Sequence, residues 1–176
     1  KTYAKDRIKN IDMKKATLSS DISASELEQY ESPETTHYSV VDQWGNAVSV
    51  TTTINLSYGN GHVVEGAGFF LNNEMDDFSS KPGVPNAFGL VGNEANAIQP
   101  EKRPLSSMTP TIVLKDGNPF IVIGSPGGST IITTTMQSIL NVIDHNMDIK
   151  EAVTAARFHS QWLPDLIQIE PNGLVK

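Results

Sequence analysis

The sequence contains no cysteine among its 176 residues. Disulfide scaffolds, zinc–thiolate sites and thiol nucleophiles are therefore excluded. Basic residues are in deficit, with 13 Lys and Arg against 20 Asp and Glu and a net charge of −7, so the chain has no electrostatic footprint for nucleic acid. No apolar run approaches the roughly 18 residues that a membrane-spanning helix needs. We therefore expect no nucleic-acid partner and no membrane span in this segment.

The composition that remains suits an ordinary globular chain. Hydrophobic residues make up 38% of it and there are 13 glycines, so it can build a core, though nothing in the sequence indicates that this core is complete without a partner. At 176 residues it has the length of one domain, or of a domain with an extension. Its first residues are not a natural protein start. We interpret it as a segment of a longer chain, so the lack of a signal peptide says nothing about compartment.

The composition of the chain changes at Thr35. Residues 1–16 are basic with sparse apolar positions, which predicts a short surface helix. Residues 17–34 are serine-rich and acidic and include Pro33, a composition typical of a mobile tail outside the core. From Thr35 onward, β-rich runs, glycine-rich loops and helical periodicity predict a folded unit of strands and helices.

The elements predicted after Thr35 are two hairpins, two helices and a last strand. In the first hairpin, Gly45 and Asn46 can take positive φ in the turn, and the second strand is expected to continue to Asn55. The predicted elements are strands Tyr38–Val41, Ala47–Val50, Thr111–Leu114 and Phe120–Ile123, helices Ile131–Ile143 and Ile149–Arg157, the latter capped by Asp148, and strand Ile167–Glu170. A long proline-containing connection spans residues 78–104, and structureless loops of that length are usually functional or mobile.

The segment Ser125-Pro126-Gly127-Gly128 joins a predicted strand to a predicted helix. Such a connection places unpaired backbone N–H groups at a helix N-terminus, where a phosphate, a carboxylate or a developing oxyanion can bind. No lysine follows the glycines, so this is not a Walker loop. From spacing alone, the preferred interpretation is a tight turn that needs small residues, with the anion site as the alternative.

Two polar clusters have both a functional and an ordinary interpretation. Ser106 and Ser107 can bind a carboxylate, but adjacent hydroxyls more often cap or solvate a turn. Glu74, with Asp76 and Asp77, can bind an ammonium or a metal. Their spacing matches no calcium loop, and acidic clusters in loops are usually just solvated.

By pattern alone, Thr35 and His37 are ordinary strand residues. His37 is adjacent to Thr36, and neighbouring strand residues point to opposite faces, so a hydroxyl–imidazole pair is not expected. The four histidines are scattered without zinc spacing, and we predict no metal and no cofactor. A threonine becomes a nucleophile when a chain break frees its α-amino group to act as general base. Composition cannot reveal such a break.

Five blocks of sequence follow one another from Thr35 to Asp165. They read TTHYSVVDQWGNAVSVTTTIN, LNNEMDDFSSKPGVPNAFGLVG, NAIQPEKRPLSSMTPTIVLKDG, GSPGGSTIITT and ARFHSQWLPD. Together they strongly resemble γ-glutamyltransferase (γ-glutamyltranspeptidase), a family of the N-terminal-nucleophile hydrolase superfamily. Five ordered blocks are far more specific than any one of them. The resemblance implies an α+β fold that is part of a four-layered αββα sandwich.

This family is made as a proenzyme that cleaves itself into a large and a small subunit. The resemblance implies a cut between Glu34 and Thr35. Residues 1–34 would then be the C-terminal tail of the large subunit, and residues 35–176 a small, catalytic subunit without its C-terminal part. It also implies cleavage of γ-glutamyl amides such as glutathione through an ester on Thr35, with transfer to water or to an amino-acid or peptide amine. A periplasmic or secreted location is the family expectation.

The same resemblance implies roles for individual residues. Thr53 is implied to hydrogen-bond the nucleophile. Gly127 and Gly128 are implied to form the oxyanion hole, which reverses the preference for a simple turn. The residues implied to bind the donor are Asn55, Glu74 and Asp77 for its α-ammonium and Ser106 and Ser107 for its α-carboxylate. A zwitterionic glutamyl head needs such an opposed polar pair, because each buried charge must find a partner.

The segment from Pro82 to Asn93 is implied to form a lid over the site. Two positions depart from relatives. Phe88 stands where some bacterial members carry an aromatic hydroxyl, which is expected to loosen the latch of the lid. Thr130 stands where several relatives carry an arginine, a change that leaves the oxyanion donors untouched.

One part of the family's site is missing from this chain, namely a large-subunit arginine that grips the donor carboxylate. We therefore expect little or no activity from the segment alone. Two alternatives stay open. One is a related acylase that acts on glutaryl or other acyl amides, against which the Asp77 position argues. The other is a non-catalytic fragment that folds only against the missing large subunit.

Overall fold

The structure is a computed structural model that describes residues 12–16, 35–86, 90–161, 165–171 and 173. Over these residues the chain forms antiparallel two-stranded sheets and helices joined by long connections. The elements are strands β1 (Thr35–Val41), β2 (Ala47–Thr53), β3 (Thr111–Lys115), β4 (Asn118–Ile123), β5 (Phe158–His159) and β6 (Gln168–Ile169), and helices α1 (Ile131–Ile143) and α2 (Ile149–Thr154). Both predicted hairpins are confirmed.

The first hairpin pairs β1 with β2, and its register places Thr35 opposite Thr53. Its turn is closed by Asp42, whose Oδ1 accepts from the backbone N–H groups of Trp44 and Asn46, each at 2.9 Å. The prediction that the second strand runs on to Asn55 is wrong. Asn55 has a φ of 76°, a left-handed conformation that a strand cannot contain, so the strand ends at Thr53.

The two faces of the first hairpin differ sharply in polarity. Apart from Val41 and Ala47 next to the turn, the odd-numbered face carries hydroxyls and one imidazole, from Thr35, His37, Ser39, Ser49, Thr51 and Thr53. This face lies against β4, because Ser39 Oγ donates to the Val122 carbonyl at 2.9 Å and Ser49 Oγ donates to the Ile123 carbonyl at 3.0 Å. The opposite face carries Tyr38, Val40 and Val48, and about half of each of these side chains is exposed.

The second hairpin leads directly into the glycine loop. β3 and β4 pair antiparallel with an irregularity between Val113 and Leu114. After β4, residues 124–127 form the loop, a 3₁₀ turn spans Gly128–Thr130, and α1 follows at once. The predicted order of strand, glycine loop and helix is therefore confirmed.

Helix α1 has the predicted bounds but not the burial that its sequence pattern suggests. Four apolar positions at helical spacing are between 39% and 49% exposed, namely Ile132, Met136, Leu140 and Ile143. The buried residues of this helix are Ile131, Thr135, Gln137 and Ser138. In the described part of the chain, an apolar stripe of α1 is thus left uncovered.

Helix α2 begins as predicted and ends early. Asp148 Oδ1 accepts from the Glu151 N–H at 2.8 Å while Glu151 Oε2 accepts from the Asp148 N–H at 3.0 Å, which is a capping box. The predicted end at Arg157 is wrong, because the backbone is already extended at Ala155. Arg157 instead forms an ion pair of 2.7 Å with Glu170, which follows β6, the shorter form of the predicted last strand.

The core of the described part of the chain is thin. Its buried apolar side chains are Phe78, Ile121, Ile131 and Ala152. The short helix predicted for residues 1–16 is absent from residues 12–16, which form a bend. The rest of that prediction and the predicted tail lie outside the described residues. Among those described, no helix is both long enough and apolar enough to cross a membrane.

Candidate active site

Thr35 opens onto a small cavity at the open end of the first hairpin. The cavity has a volume of about 50 Å³. Its lining residues come from stretches far apart in the sequence and are Thr35, Thr53, Asn55, Asp77, Leu90, Ser106, Ser107, Met108, Gly128, Ser129 and Ile131. A larger cavity of about 160 Å³ adjoins it and shares Asp77, Leu90 and Ser107. We place the candidate site in the smaller cavity because it contains the threonine pair.

Asn55 connects the threonine pair to the acidic turn. Its backbone N–H donates to Thr53 Oγ1 at 2.9 Å, and its Nδ2 donates to the Asn73 carbonyl at 3.2 Å. Asn73 directly precedes the 3₁₀ turn Glu74–Asp77. Because Asn55 is only 6% exposed, these bonds hold the acidic turn at a defined position relative to the Thr53 hydroxyl.

Glu74 and Asp77 form a carboxyl pair. Burial, a hydrogen bond with Asp77 and the charge of Asp77 raise the pKa of Glu74 from 4.5 to about 7. Burial also raises the pKa of Asp77, which the hydrogen bond from Glu74 opposes and the charge of Asp76 favours. Glu74 therefore holds a shared proton near neutral pH. Its Oε1 is buried and has no hydrogen-bond partner among the described residues, so the carboxyl pair retains an unsatisfied acceptor behind Asp77, which lines the cavity.

The two serines lie at the side of the cavity formed by residues 106–108. Ser106 Oγ accepts from the Met108 N–H at 3.2 Å, which fixes the local turn. Ser107 is half-buried and lines both cavities. Two adjacent hydroxyls at this place can donate to a carboxylate while Asp77 attracts an ammonium.

The glycine loop reaches the cavity through Gly128. Gly127 and Gly128 have φ values of 131° and 55°, which favour glycine. The Gly127 carbonyl accepts from the Thr130 N–H at 3.0 Å and from Thr130 Oγ1 at 2.7 Å. In a trans peptide the carbonyl and the next N–H point in opposite directions. The Gly128 N–H therefore points away from Thr130, and Gly128 lines the cavity.

Most of the predicted site residues meet in this cavity. Thr35, Thr53, Asn55, Asp77, Ser106, Ser107 and Gly128 line it. Glu74 and Gly127 do not line it and lie beside Asp77 and Gly128, respectively. Glu34 and Phe88 lie outside the described residues. The chemical roles of these residues remain predictions.

The predicted lid segment folds back on itself beside the site. The Gly83 N–H donates to the Gly92 carbonyl at 2.9 Å, and the Asn86 N–H donates to the Leu90 carbonyl at 3.0 Å. Pro82 is exposed, and the Asn93 side chain caps the following turn by accepting from the Ala95 N–H at 3.0 Å. Neither end of the segment lines the cavity, whereas Leu90 does.

Sequence reasoning missed the apolar part of the lining. Leu90, Met108 and Ile131 line the cavity together with Ser129. Met108 and Ser129 directly follow the predicted site residues Ser107 and Gly128, and Leu90 lies within the predicted lid segment; that proximity in the sequence was the available signal. It also missed the hydrogen-bonded surroundings of His37, which no local pattern indicates.

One family model, described as Gamma-glutamyltranspeptidase, matches residues 1–176. The chain is 58% identical over 170 residues to the glutathione hydrolase proenzyme of Escherichia coli (strain K12). That match covers 97% of this chain and 29% of the relative. The chain thus spans about three tenths of the length of this curated relative.

Two solved structures are similar to the chain. A threonine-to-alanine mutant of Helicobacter pylori γ-glutamyltranspeptidase aligns with a TM-score of 0.77 and 68% identity, covering 80% of this chain and 75% of that one. An acivicin-inhibited γ-glutamyltranspeptidase aligns with a TM-score of 0.77 and 68% identity, covering 80% of this chain and 74% of that one. The latter structure reveals critical roles for the C-terminus of that protein in autoprocessing and catalysis.

Proposed function

The chain belongs to the γ-glutamyltranspeptidase family, and on that basis we propose that it supplies the nucleophile and most of the donor site of a self-processing γ-glutamyltransferase and glutathione hydrolase. The observation that carries the proposal is the cavity in which Thr35, Thr53, Asp77, Ser107 and Gly128 meet. These residues provide a nucleophile, its hydrogen-bond partner, an anion, a hydroxyl donor and a backbone N–H. Acyl transfer through a threonine needs this set.

The first reaction is cleavage of the chain before Thr35. Thr35 Oγ attacks the carbonyl carbon of Glu34, the C–N bond breaks, and the nitrogen takes up the hydroxyl proton. The resulting ester is hydrolysed by water, which leaves a carboxylate on Glu34 and a free α-amine on Thr35. The autoprocessing described for the acivicin-inhibited relative supports this step.

The second reaction uses the freed amine as general base for the same hydroxyl. Thr35 Oγ attacks the γ-carbonyl of the donor, and the Gly128 N–H stabilises the negative charge that develops on the carbonyl oxygen. The amine of the leaving group departs with a proton, and the γ-glutamyl group stays on Thr35 as an ester. Water, or the amine of an amino acid or peptide, then takes the group.

Donor recognition follows from the two polar ends of the cavity. The α-ammonium of a γ-glutamyl group binds at Asp77, Glu74 and Asn55, where the buried Glu74 Oε1 lacks a partner among the described residues. The α-carboxylate binds the hydroxyls of Ser106 and Ser107. A glutaryl amide has no α-ammonium and leaves the acidic end unsatisfied, so the carboxyl pair favours a γ-glutamyl donor over the acylase alternative.

The rest of a longer precursor completes the fold and the site. The exposed stripe of α1 and the exposed apolar face of the first hairpin are surfaces that a four-layered αββα sandwich covers with further layers. The thin core of the described residues supports the same proposal, as does the proenzyme nature of the E. coli relative. We expect the isolated segment to show little or no turnover of a γ-glutamyl anilide.

The test of self-processing is the intact mass of the full-length precursor. Wild-type protein should separate into two chains cut between Glu34 and Thr35, and Thr35→Ala should stay uncut. Thr36→Ala is the matched control, because Thr36 is exposed and lies on the opposite face of β1. Cleavage at the same bond in Thr35→Ala would refute the proposal.

Donor recognition is tested with Asp77→Asn in the cleaved enzyme. The KM for a γ-glutamyl anilide should rise at least about tenfold, because a charge-assisted bond to the ammonium is worth roughly 1.5–3 kcal/mol. Asp116→Asn, in the turn after β3, is the control and should leave the KM unchanged. Unchanged kinetics of Asp77→Asn would favour the alternative acylase function. Turnover of a glutaryl anilide at the same rate as the γ-glutamyl anilide would do so too.

A further inference from the structure

His37 occupies the polar face of the first hairpin between the threonine pair and β4. Its cross-strand partner is Thr51, as Thr35 is the partner of Thr53. His37 Nδ1 lies 2.8 Å from Thr51 Oγ1, and Nε2 lies 3.0 Å from Ser39 Oγ. Both ring nitrogens are therefore engaged, and the ring is held by both strands of the hairpin.

The hydrogen bonds around His37 assign its tautomer. Ser39 Oγ donates its one proton to the Val122 carbonyl at 2.9 Å, so it must accept from His37 Nε2–H. Nδ1 then carries the lone pair and accepts from the Thr51 hydroxyl. The result is one directed chain from Thr51 through His37 and Ser39 to the backbone of β4. Burial lowers the pKa of His37, which favours the neutral ring that this chain requires.

The same ring lies on the start of the glycine loop. A Cβ atom on Gly124 would lie 2.3 Å from His37 Nδ1, closer than two such atoms can approach. The φ of Gly124 is outside the left-handed range, so its backbone conformation does not require glycine. The residue must be glycine because the His37 imidazole occupies the space of a side chain. Gly124 opens the loop that ends in Gly127 and Gly128.

We infer that His37 is a positioning residue that sets the distance between β1, which begins with Thr35, and the glycine loop, which leads to Gly128. The ring bonds to both strands of the hairpin and packs on the backbone of the loop, so one rigid group determines both positions. This inference rests on the proposed function, because both proposed reactions need the Gly128 N–H close to the carbonyl that Thr35 attacks. A small misplacement of reacting groups can cost about a hundredfold in rate.

The experiment uses His37→Ala, His37→Gln, Gly124→Ala and the double variant His37→Ala/Gly124→Ala, each in the full-length precursor. The kcat for a γ-glutamyl anilide is measured per cleaved chain, at a temperature where every variant is folded by circular dichroism. We expect His37→Ala to lower kcat about 10- to 100-fold. The KM for the γ-glutamyl substrate should stay within about threefold, since the residues proposed to bind that substrate are unchanged. His37→Gln keeps a hydrogen-bond donor and a hydrogen-bond acceptor and should recover part of the lost kcat.

The decisive comparison is the effect of Gly124→Ala in the two backgrounds. With the ring present, the added methyl should lower kcat about as strongly as His37→Ala does, because it displaces the ring. With the ring removed, the same methyl should cost little more. Equal losses in both backgrounds, or a His37→Ala enzyme with wild-type kcat, would overturn the inference.

Two controls separate this inference from its surroundings. His145→Ala removes an exposed histidine from the loop after α1 and should leave kcat unchanged. Thr35→Ala reports on the proposed function itself. If that variant is still cleaved and active, the proposed function fails; if it is dead while His37→Ala is fully active, only the positioning role fails.

Discussion

Thr35 and Thr53 lie directly opposite each other at the open end of the first hairpin. Residues paired in this way direct their side chains to the same face, with Cβ atoms about 4.5–5.5 Å apart. Thr53 Oγ1 also accepts from the Asn55 N–H, so the Thr53 hydroxyl proton is donated in another direction. A single hairpin thus positions the candidate nucleophile and the threonine proposed to hydrogen-bond it.

Thr53→Val should reduce kcat about tenfold or more, because it removes one hydrogen bond to the nucleophile, a loss of roughly 1.4 kcal/mol. It also leaves the N–H of buried Asn55 without its acceptor, so some stability is lost as well. Thr53→Ser keeps the hydroxyl and should stay within a few-fold of wild type. Steady-state turnover of a γ-glutamyl anilide measures both, and equal kcat values for the Val and Ser variants would contradict the role of Thr53.

The carboxyl pair of Glu74 and Asp77 should make kcat/KM for the γ-glutamyl substrate depend on pH. The pKa of Glu74 is raised to about 7, so the empty pair is partly protonated below that pH and more negative above it. An ammonium binds the more negative form better, and kcat/KM for the donor should rise as the pH increases through this range. Glu74→Gln should flatten the rise. A profile that is the same in wild type and Glu74→Gln would contradict this prediction.

Glu74 should also make the stability of the protein depend on pH, and stability should fall as the pH rises. Because the folded-state pKa of Glu74 lies above its ordinary value of 4.5, the folded protein holds more protons than the unfolded chain between these two values. The contribution of Glu74 to stability is present at low pH and is lost as the pH rises through about 7. The Tm of Glu74→Gln, measured in the full-length protein, should therefore fall less than that of wild type between pH 5 and pH 8.

Gly127→Ala should lower kcat about a hundredfold, the cost expected when one oxyanion donor is lost. Gly127 has a φ of 131°, and an added Cβ would lie 2.6 Å from Thr130 Oγ1, so the peptide that carries the Gly128 N–H must move. Gly117→Ala is the matched control. It has a φ of 82° with nothing within 4 Å of an added Cβ, so it should cost stability but not kcat.

Asp148→Ala should destabilise the protein by about 1 kcal/mol, because it removes the side chain that caps α2. The bond from the Glu151 N–H to the Asp148 carboxylate is lost, whereas the bond from the backbone N–H of residue 148 to Glu151 can still form. The cavity is untouched, so kcat should not change. Asp144→Ala, at the C-terminal end of α1, should not destabilise. Chemical denaturation of the cleaved protein measures both variants, and equal stability losses would show that the capping box contributes nothing specific.

Local elements were predictable where short-range chemistry decides them. Alternating β-formers around Gly45 predict the first hairpin, and Asp148 as a helix cap predicts the start of α2. The predictions failed where distant residues decide the outcome. Strand β2 ends at Thr53 because Asn55 turns to meet Asn73, and α2 ends early where the chain turns toward the Arg157 pairing with Glu170.

The candidate site was predictable residue by residue only through the family resemblance. Pattern alone interpreted the glycine loop as a turn, the acidic residues as a solvated cluster and His37 as an ordinary strand residue. The structure brings Asp77, Ser107 and Gly128 to the cavity of Thr35. It also surrounds His37 with Thr51, Ser39 and Gly124, a setting that no local pattern contains.

The sequence by itself determined the two main hairpins and the starts of α1 and α2, because these depend on residue type and on spacing along the chain, and its resemblance to a known family identified the candidate nucleophile. Only the tertiary structure decided which face of the first hairpin is inside. Among the described residues, the polar face is the one that packs against β4, while the apolar face is left uncovered. The physical reason is that Ser39 and Ser49 bond to the carbonyls of β4. This contact between distant segments keeps Thr35 beside the glycine loop.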